Sequence, residues 1–140
     1  MTGPIIKNNT ITIPSLEDYL PDVDNFVEDI LEKHGLDKSV IADIAISVTE
    51  VVVNAIIHGN KSILEKIVTV TVDKTKTAIV IVIVDQGEGF NPDDVDNPID
   101  DANLLKEVGR GIFIVKSLMD DLKIEPSPTG TRFTLTKNLQ

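Results

Sequence analysis

Residues 78–84, AIVIVIV, are seven consecutive apolar residues that run straight into Asp85-Gln86-Gly87. A short run so rich in β-branched side chains reads as a strand, and one that is apolar on both faces belongs in the middle of a sheet. Before it stands IVTVTVD at 67–73, and the intervening KTKT makes the pair a hairpin. The aspartate at the end of the buried strand has two explanations. Asp and Gly close turns wherever strands end, or the carboxylate stands there to bind something.

The remaining elements separate into blocks. IIKNNTITI alternates loosely, so residues 4–13 read as one strand. A first helix begins near Pro21, a residue suited to a first helical turn, and carries Val23, Phe26, Val27, Ile30 and Leu31 at helical spacing. It stops at KHGL with Gly35 as C-cap, and His34 there suits the helix dipole. A second helix starts after Asp37 or Ser39 and runs to Gly59. Its branched residues would allow strand, but its length and periodic polar positions decide for helix. A patternless stretch at 87–108 precedes a third helix at 109–121 and a second hairpin, 122–126 with 131–137, turning at SPTG. The order β, α, α, β, β, loop, α, β, β indicates an α+β fold, a two-layer α/β sandwich, and excludes a parallel doubly wound sheet.

A chain of 140 residues fits a single domain, 1–140, with a continuous core. It has no cysteine, so neither disulfides nor thiolate metal sites are available, which suits a reducing compartment. No basic-then-apolar segment opens it, and no apolar run approaches the roughly 20 residues needed to span a membrane, so a soluble cytoplasmic protein is expected. The net charge of −10 argues against direct nucleic-acid binding. It favours either a basic macromolecular partner or solubility alone.

Three features could carry chemistry. On the second helix Asp43, Ser47, Glu50, Asn54 and His58 follow at three- or four-residue steps and share a stripe. Such a stripe is usually a solvated face, but Val51, Val52, Val53, Ile56 and Ile57 leave little of the circumference polar, and buried polar groups without partners are costly. DQGEGF lacks the third glycine and following helix of a dinucleotide fingerprint. An acid there would repel phosphate but could accept a hydrogen bond from adenine's exocyclic amine, with Gly87 and Gly89 letting a ring lie against backbone. Finally, Gly109-Arg110-Gly111 opens a helix, where free N–H groups, the dipole and a guanidinium favour an anion; close packing explains the glycines equally well.

Glu50-x-x-x-Asn54, Asp85-x-Gly87-x-Gly89, Gly109-x-Gly111 and Gly130-Thr131-x-Phe133 occur in the order found in the ATP-binding superfamily of gyrase, MutL and histidine kinases. The chain resembles that superfamily over nearly its whole length. EVVVNAIIHGN and GRGIFIVKSLMD look most like the anti-sigma-factor serine kinases of the RsbW and SpoIIAB type. The resemblance implies a mixed, mainly antiparallel sheet with helices on one face. It assigns Asn54 to Mg²⁺, Glu50 to general base, Asp85 to the adenine amine, and Thr131 to a hydrogen bond near the adenine. Gly87 and Gly89 would shape the adenine pocket, Gly109, Arg110 and Gly111 would face phosphate, and His58 would pack beside the nucleotide. ATP and Mg²⁺ would be the cofactors.

Residues 90–108 correspond to the family's ATP lid. Asp93, Asp94, Asp96, Asp100 and Asp101 would repel triphosphate, leaving Lys106 and Arg110 to close over it, a departure from a basic lid that argues against strong nucleotide retention. The implied partners are a sigma factor and a STAS-type anti-anti-sigma protein as phosphoacceptor, with the kinase a homodimer. An ATP-gated module that sequesters a partner without phosphorylating it is the alternative, and Glu50 favours the kinase because pure binding needs no base. A sensor histidine kinase fragment is disfavoured, since no dimerising helix with a phospho-acceptor histidine precedes residue 14.

Overall fold

Branched residues at alternate positions build one six-stranded sheet in the computed structural model, which describes residues 2–88 and 110–139. The strands are β1 (Ile5–Lys7), β2 (Thr10–Pro14), β3 (Ile67–Lys74), β4 (Ala78–Val84), β5 (Asp121–Ser127) and β6 (Gly130–Asn138), in the spatial order β1-β2-β3-β4-β6-β5. Every neighbouring pair is antiparallel. Two helices, α1 (Leu20–Lys33) and α2 (Lys38–Asn54), and a helical stretch α3 over 110–118 complete the described fold.

β4 is central, as its apolar run requires, lying between β3 and β6. Its two faces differ, however. Ile79, Ile81 and Ile83 are fully buried, whereas Val80, Val82 and Val84 are only partly covered. The sandwich has two layers, so helices cover one sheet face, and the valines are shielded mainly by cross-strand neighbours such as Thr71 and Thr134 opposite Val82. Against the inner face α1 packs Val23, Phe26, Val27 and Leu31, and α2 packs Ile41, Ile44, Val48, Val51 and Val52. Each such side chain contributes about 1.5–3 kcal/mol on burial.

The segment read as one strand at 4–13 is a hairpin instead. Asn8 takes a left-handed conformation (φ 56°), and Asn9 donates through Nδ2 to the Val72 carbonyl (3.1 Å) and to Asp73 Oδ1 (2.7 Å), so the chain reverses there. α1 ends as expected. Gly35 at φ 74° lets its N–H reach the Glu32 carbonyl while Leu36 N–H reaches Leu31, closing the helix as a Schellman cap. α3 ends at 118 and not 121, because Asp120 N–H already bonds to the Thr136 carbonyl and Asp121 begins β5.

Lys38–Gly59 contains an 18-residue window of mean hydropathy 2.0 and is, by length and composition, long and apolar enough to cross a membrane, contrary to the expectation that no segment would be. Its composition has another cause in this fold: it is the core helix, buried along one side by the sheet and α1. The last turn is not α-helical. Ala55–Gly59 forms a π-turn, with Asn60 N–H bonding to the Ala55 carbonyl at 2.8 Å. The expected lid at 90–108, together with Gly89 and Gly109, lies outside the described residues.

Candidate nucleotide site

Asp85 follows β4 directly and is 2% exposed. Its Oδ1 accepts the backbone N–H of Gly87 (3.0 Å) and of Thr131 (2.9 Å), while its own N–H donates to the Thr131 carbonyl (3.1 Å). DQG is therefore both a turn and a mount for the carboxylate. The other oxygen, Oδ2, lies against Gly59, and no hydrogen bond among the described residues ends on it. Burial pushes the carboxyl above its ordinary range, opposed but not cancelled by the two backbone donors and the charge of Lys66.

The widened turn at the end of α2 makes this geometry possible. A β-carbon on Gly59 would collide with the Asp85 carboxylate, 2.6 Å from Cγ, and one on Gly87 would collide with the Gly59 backbone, 2.6 Å from its carbonyl carbon. Only glycine at both positions permits the approach. Thr131, 5% exposed, is bound to Asp85 through its backbone, so the structure brings these two residues together.

The polar stripe of α2 divides into two halves. Asp43 lies 3.6 Å from Lys137 Nζ, and Ser47 Oγ donates to the Asp43 carbonyl at 2.8 Å, so both are engaged structurally. Farther along, Asn54 is 8% exposed and its Nδ2 has no hydrogen-bond partner among the described residues. Glu50, one turn earlier, is partly buried. Gly111 of α3 packs onto both: a β-carbon there would lie 3.1 Å from Glu50 Oε2 and 3.4 Å from Asn54 Nδ2. Gly111 is thus a close-packing residue that holds α3 against Glu50 and Asn54. Arg110 is exposed at the start of the described part of α3, and His58 is partly buried in the π-turn.

Asn60 and its partners were not legible as site residues. Asn60 is fully buried; its Nδ2 donates to Ser15 Oγ (2.8 Å) and the Ile67 carbonyl (3.0 Å), and its Oδ1 accepts Gln86 N–H (2.7 Å). Gln86 Oε1 in turn accepts Ile67 N–H at 2.9 Å. This network ties the Asp85–Gly87 turn to the ends of β2 and β3. The only sequence signal was a Gly-Asn pair closing a helix, which reads as an ordinary cap.

The donor set fits Mg²⁺ held together with a nucleotide. Among the described residues no three His, Cys, Asp or Glu side chains cluster as a metal cage. Mg²⁺ uses few protein oxygens and fills its octahedron with phosphates and water. The unmatched Asn54 Nδ2 is a donor that a phosphate oxygen of the nucleotide would complete, while the side-chain oxygen of the same amide would be the Mg²⁺ ligand.

The histidine kinase-like ATPase domain family matches residues 13–137. The chain is 28% identical over 138 residues to the serine-protein kinase RsbW of Staphylococcus aureus, covering 91% of this chain and 84% of the relative. It is 33% identical over 102 residues to the anti-sigma F factor of Thermoanaerobacter sp. (strain X514), covering 69% of each. Among solved structures, the RsbU and RsbW domains of Rv1364c from Mycobacterium tuberculosis superpose with a TM-score of 0.64 at 20% identity, over 93% of this chain and 32% of that one. The histidine kinase domain of the Erythrobacter litoralis EL346 blue-light activated histidine kinase gives 0.56 at 19%, over 91% of this chain and 62% of that one. The chain spans less than two thirds of either solved chain, and at these identities both speak for the fold. With residues 13–137 matched, the chain belongs to the histidine kinase-like ATPase domain family.

Proposed function

We propose that the protein is an ATP-dependent serine/threonine kinase that acts as an anti-sigma factor and phosphorylates a STAS-type anti-anti-sigma protein. The observation that carries this reading is the packing of Gly111 on both Glu50 and Asn54, which joins a carboxylate and an unsatisfied buried amide at one place. The relatives named serine-protein kinase and anti-sigma F factor support it.

In the reaction, Asp85 accepts a hydrogen bond from the adenine amine through Oδ2, while Oδ1 stays committed to Gly87 and Thr131. Asn54 would hold Mg²⁺ through its side-chain oxygen, and the ion would supply charge neutralisation at the phosphate oxygens. Glu50 takes the proton of the acceptor serine or threonine hydroxyl as its oxygen attacks the γ-phosphorus and ADP departs. On this reading residues 1–140 form one ATP-binding unit with 90–108 as its lid. It works as a homodimer in the cytoplasm, bound to a sigma factor and touching neither nucleic acid nor membrane itself.

The test is incubation of the purified chain with radiolabelled ATP, Mg²⁺ and the STAS proteins of the same genome. Label should pass to one of them. Stable binding of a STAS protein or sigma factor without any transfer would reassign the chain to partner sequestration.

A further inference from the structure

A cleft of about 380 Å³ runs between α1 and α2, lined by Asp24, Glu28, Ala42, Ala45, Ile46, Thr49 and Glu50. The small side chains of Ala42 and Ala45 leave space between the helices, and Ile46 stands at its edge, 48% exposed. Asp24 and Glu28 are only partly exposed, and neither they nor Glu50 is salt-bridged to another described residue. One end of the cleft is Glu50, and one turn beyond it lies Asn54 with its unpartnered amide. The cleft therefore opens onto the place where phosphoryl transfer would occur.

Charge on the cleft wall is unbalanced. Asp24 and Glu28 are one turn apart on α1, where like charges repel. Glu28 is held above the ordinary carboxylate range, first by Asp24, then by burial, Glu32 and Asp29. A cationic side chain laid into the cleft would relieve that repulsion, and an acidic one would worsen it.

We propose that this cleft receives the phosphoacceptor-bearing segment of the protein substrate: a stretch with lysine or arginine facing Asp24 and Glu28, an apolar side chain against Ile46, and its hydroxyl delivered to Glu50. The proposal rests on the kinase reading above, but its test does not require phosphorylation. Two fluorescent peptides of equal length would be used, each carrying one serine between leucines, one flanked by lysines and the other by glutamates. Their binding to the full chain with Mg²⁺ and ADP is read by anisotropy.

The lysine peptide should bind more tightly. Reversing the wall with D24K/E28K should weaken it about tenfold, the loss expected when two exposed pairs become repulsive. The same variant should favour the glutamate peptide and keep its ADP affinity. Ile46→Ser, which leaves the charges intact, should weaken both peptides alike. Equal affinity for the two peptides, or a D24K/E28K protein that is well folded and still prefers the lysine peptide, overturns the proposal. Charge-dependent binding with no label transfer to any STAS protein would sustain the docking cleft and overturn the kinase reading instead.

Discussion

Replacing Asp85 by asparagine separates what this residue does for binding from what it does for folding. In the parent, Oδ1 is committed to the N–H groups of Gly87 and Thr131, and Oδ2 is the oxygen proposed to accept the adenine amine. Asparagine keeps an oxygen for the two backbone donors but presents an N–H₂ where adenine also presents one. The lost charge-assisted bond is worth about 1.5–3 kcal/mol, so ATP and ADP should bind about 10- to 150-fold more weakly. Guanine carries a carbonyl at that position. GTP should therefore bind the parent poorly and gain on ATP in the variant.

Stability should move the other way. Burial raises the carboxyl's pKa in the folded state, so the folded protein holds that proton more tightly than the unfolded chain does. Asp85 thus favours folding below the ordinary carboxylate range, and that contribution is lost as pH rises through the raised value. Asparagine has no charge to desolvate. At neutral pH Asp85→Asn should melt no lower than the parent, and any advantage should fade in acid. Calorimetric titrations with ATP, ADP and GTP, beside melting curves from acid to neutral pH, check both halves. An unchanged ATP affinity would refute the adenine-reading role. A variant that melts far below the parent at neutral pH would refute the claim that burial dominates the carboxyl's energetics.

Glu50→Gln should lower phosphoryl transfer by ~10²–10⁴-fold while nucleotide affinity and melting temperature hold, because the group acts as a base in the transition state; parental turnover in a folded sample would remove it from the mechanism. Asn54→Ala should abolish the Mg²⁺-dependent gain in nucleotide affinity. Since Nδ2 has no partner to lose among the described residues, it should cost about 1 kcal/mol or less of stability; titrations with and without the metal, together with denaturant curves, check it. Asn60→Ala should orphan Gln86 N–H and the Ile67 carbonyl, costing about 3 kcal/mol, or roughly 10 °C in melting temperature. Thermal unfolding measures that loss, and a parental melting point would show the network to be dispensable.

Much of this protein was legible in one dimension because the responsible forces are local. The strand β4 follows from its run of branched residues, the end of α1 from a glycine that tolerates a left-handed conformation, and the hairpins from their turns. The motifs around Glu50, Asn54, Asp85 and Gly111 were legible too, since each needs a particular residue type within a few positions. Less visible was the reversal at Asn8 inside an apparently continuous strand, for which the anchoring contacts come from Val72 and Asp73, over 60 residues away. The stripe on α2 could not be divided from sequence either. Asp43 and Ser47 look like Glu50 and Asn54 until Lys137 and Gly111 arrive from distant segments and satisfy one half while packing on the other. Asn60 is the clearest case. Its burial, and with it the orientation of the Asp85 turn, depends on three chain segments converging, and a hydrogen bond between remote segments leaves no periodic trace in the order of residues. Residue order alone determined most of the elements and which chemical groups are available. Tertiary packing decided which of those groups were satisfied and which were left without a partner among the described residues, because burial and partner distance exist only once the chain has folded.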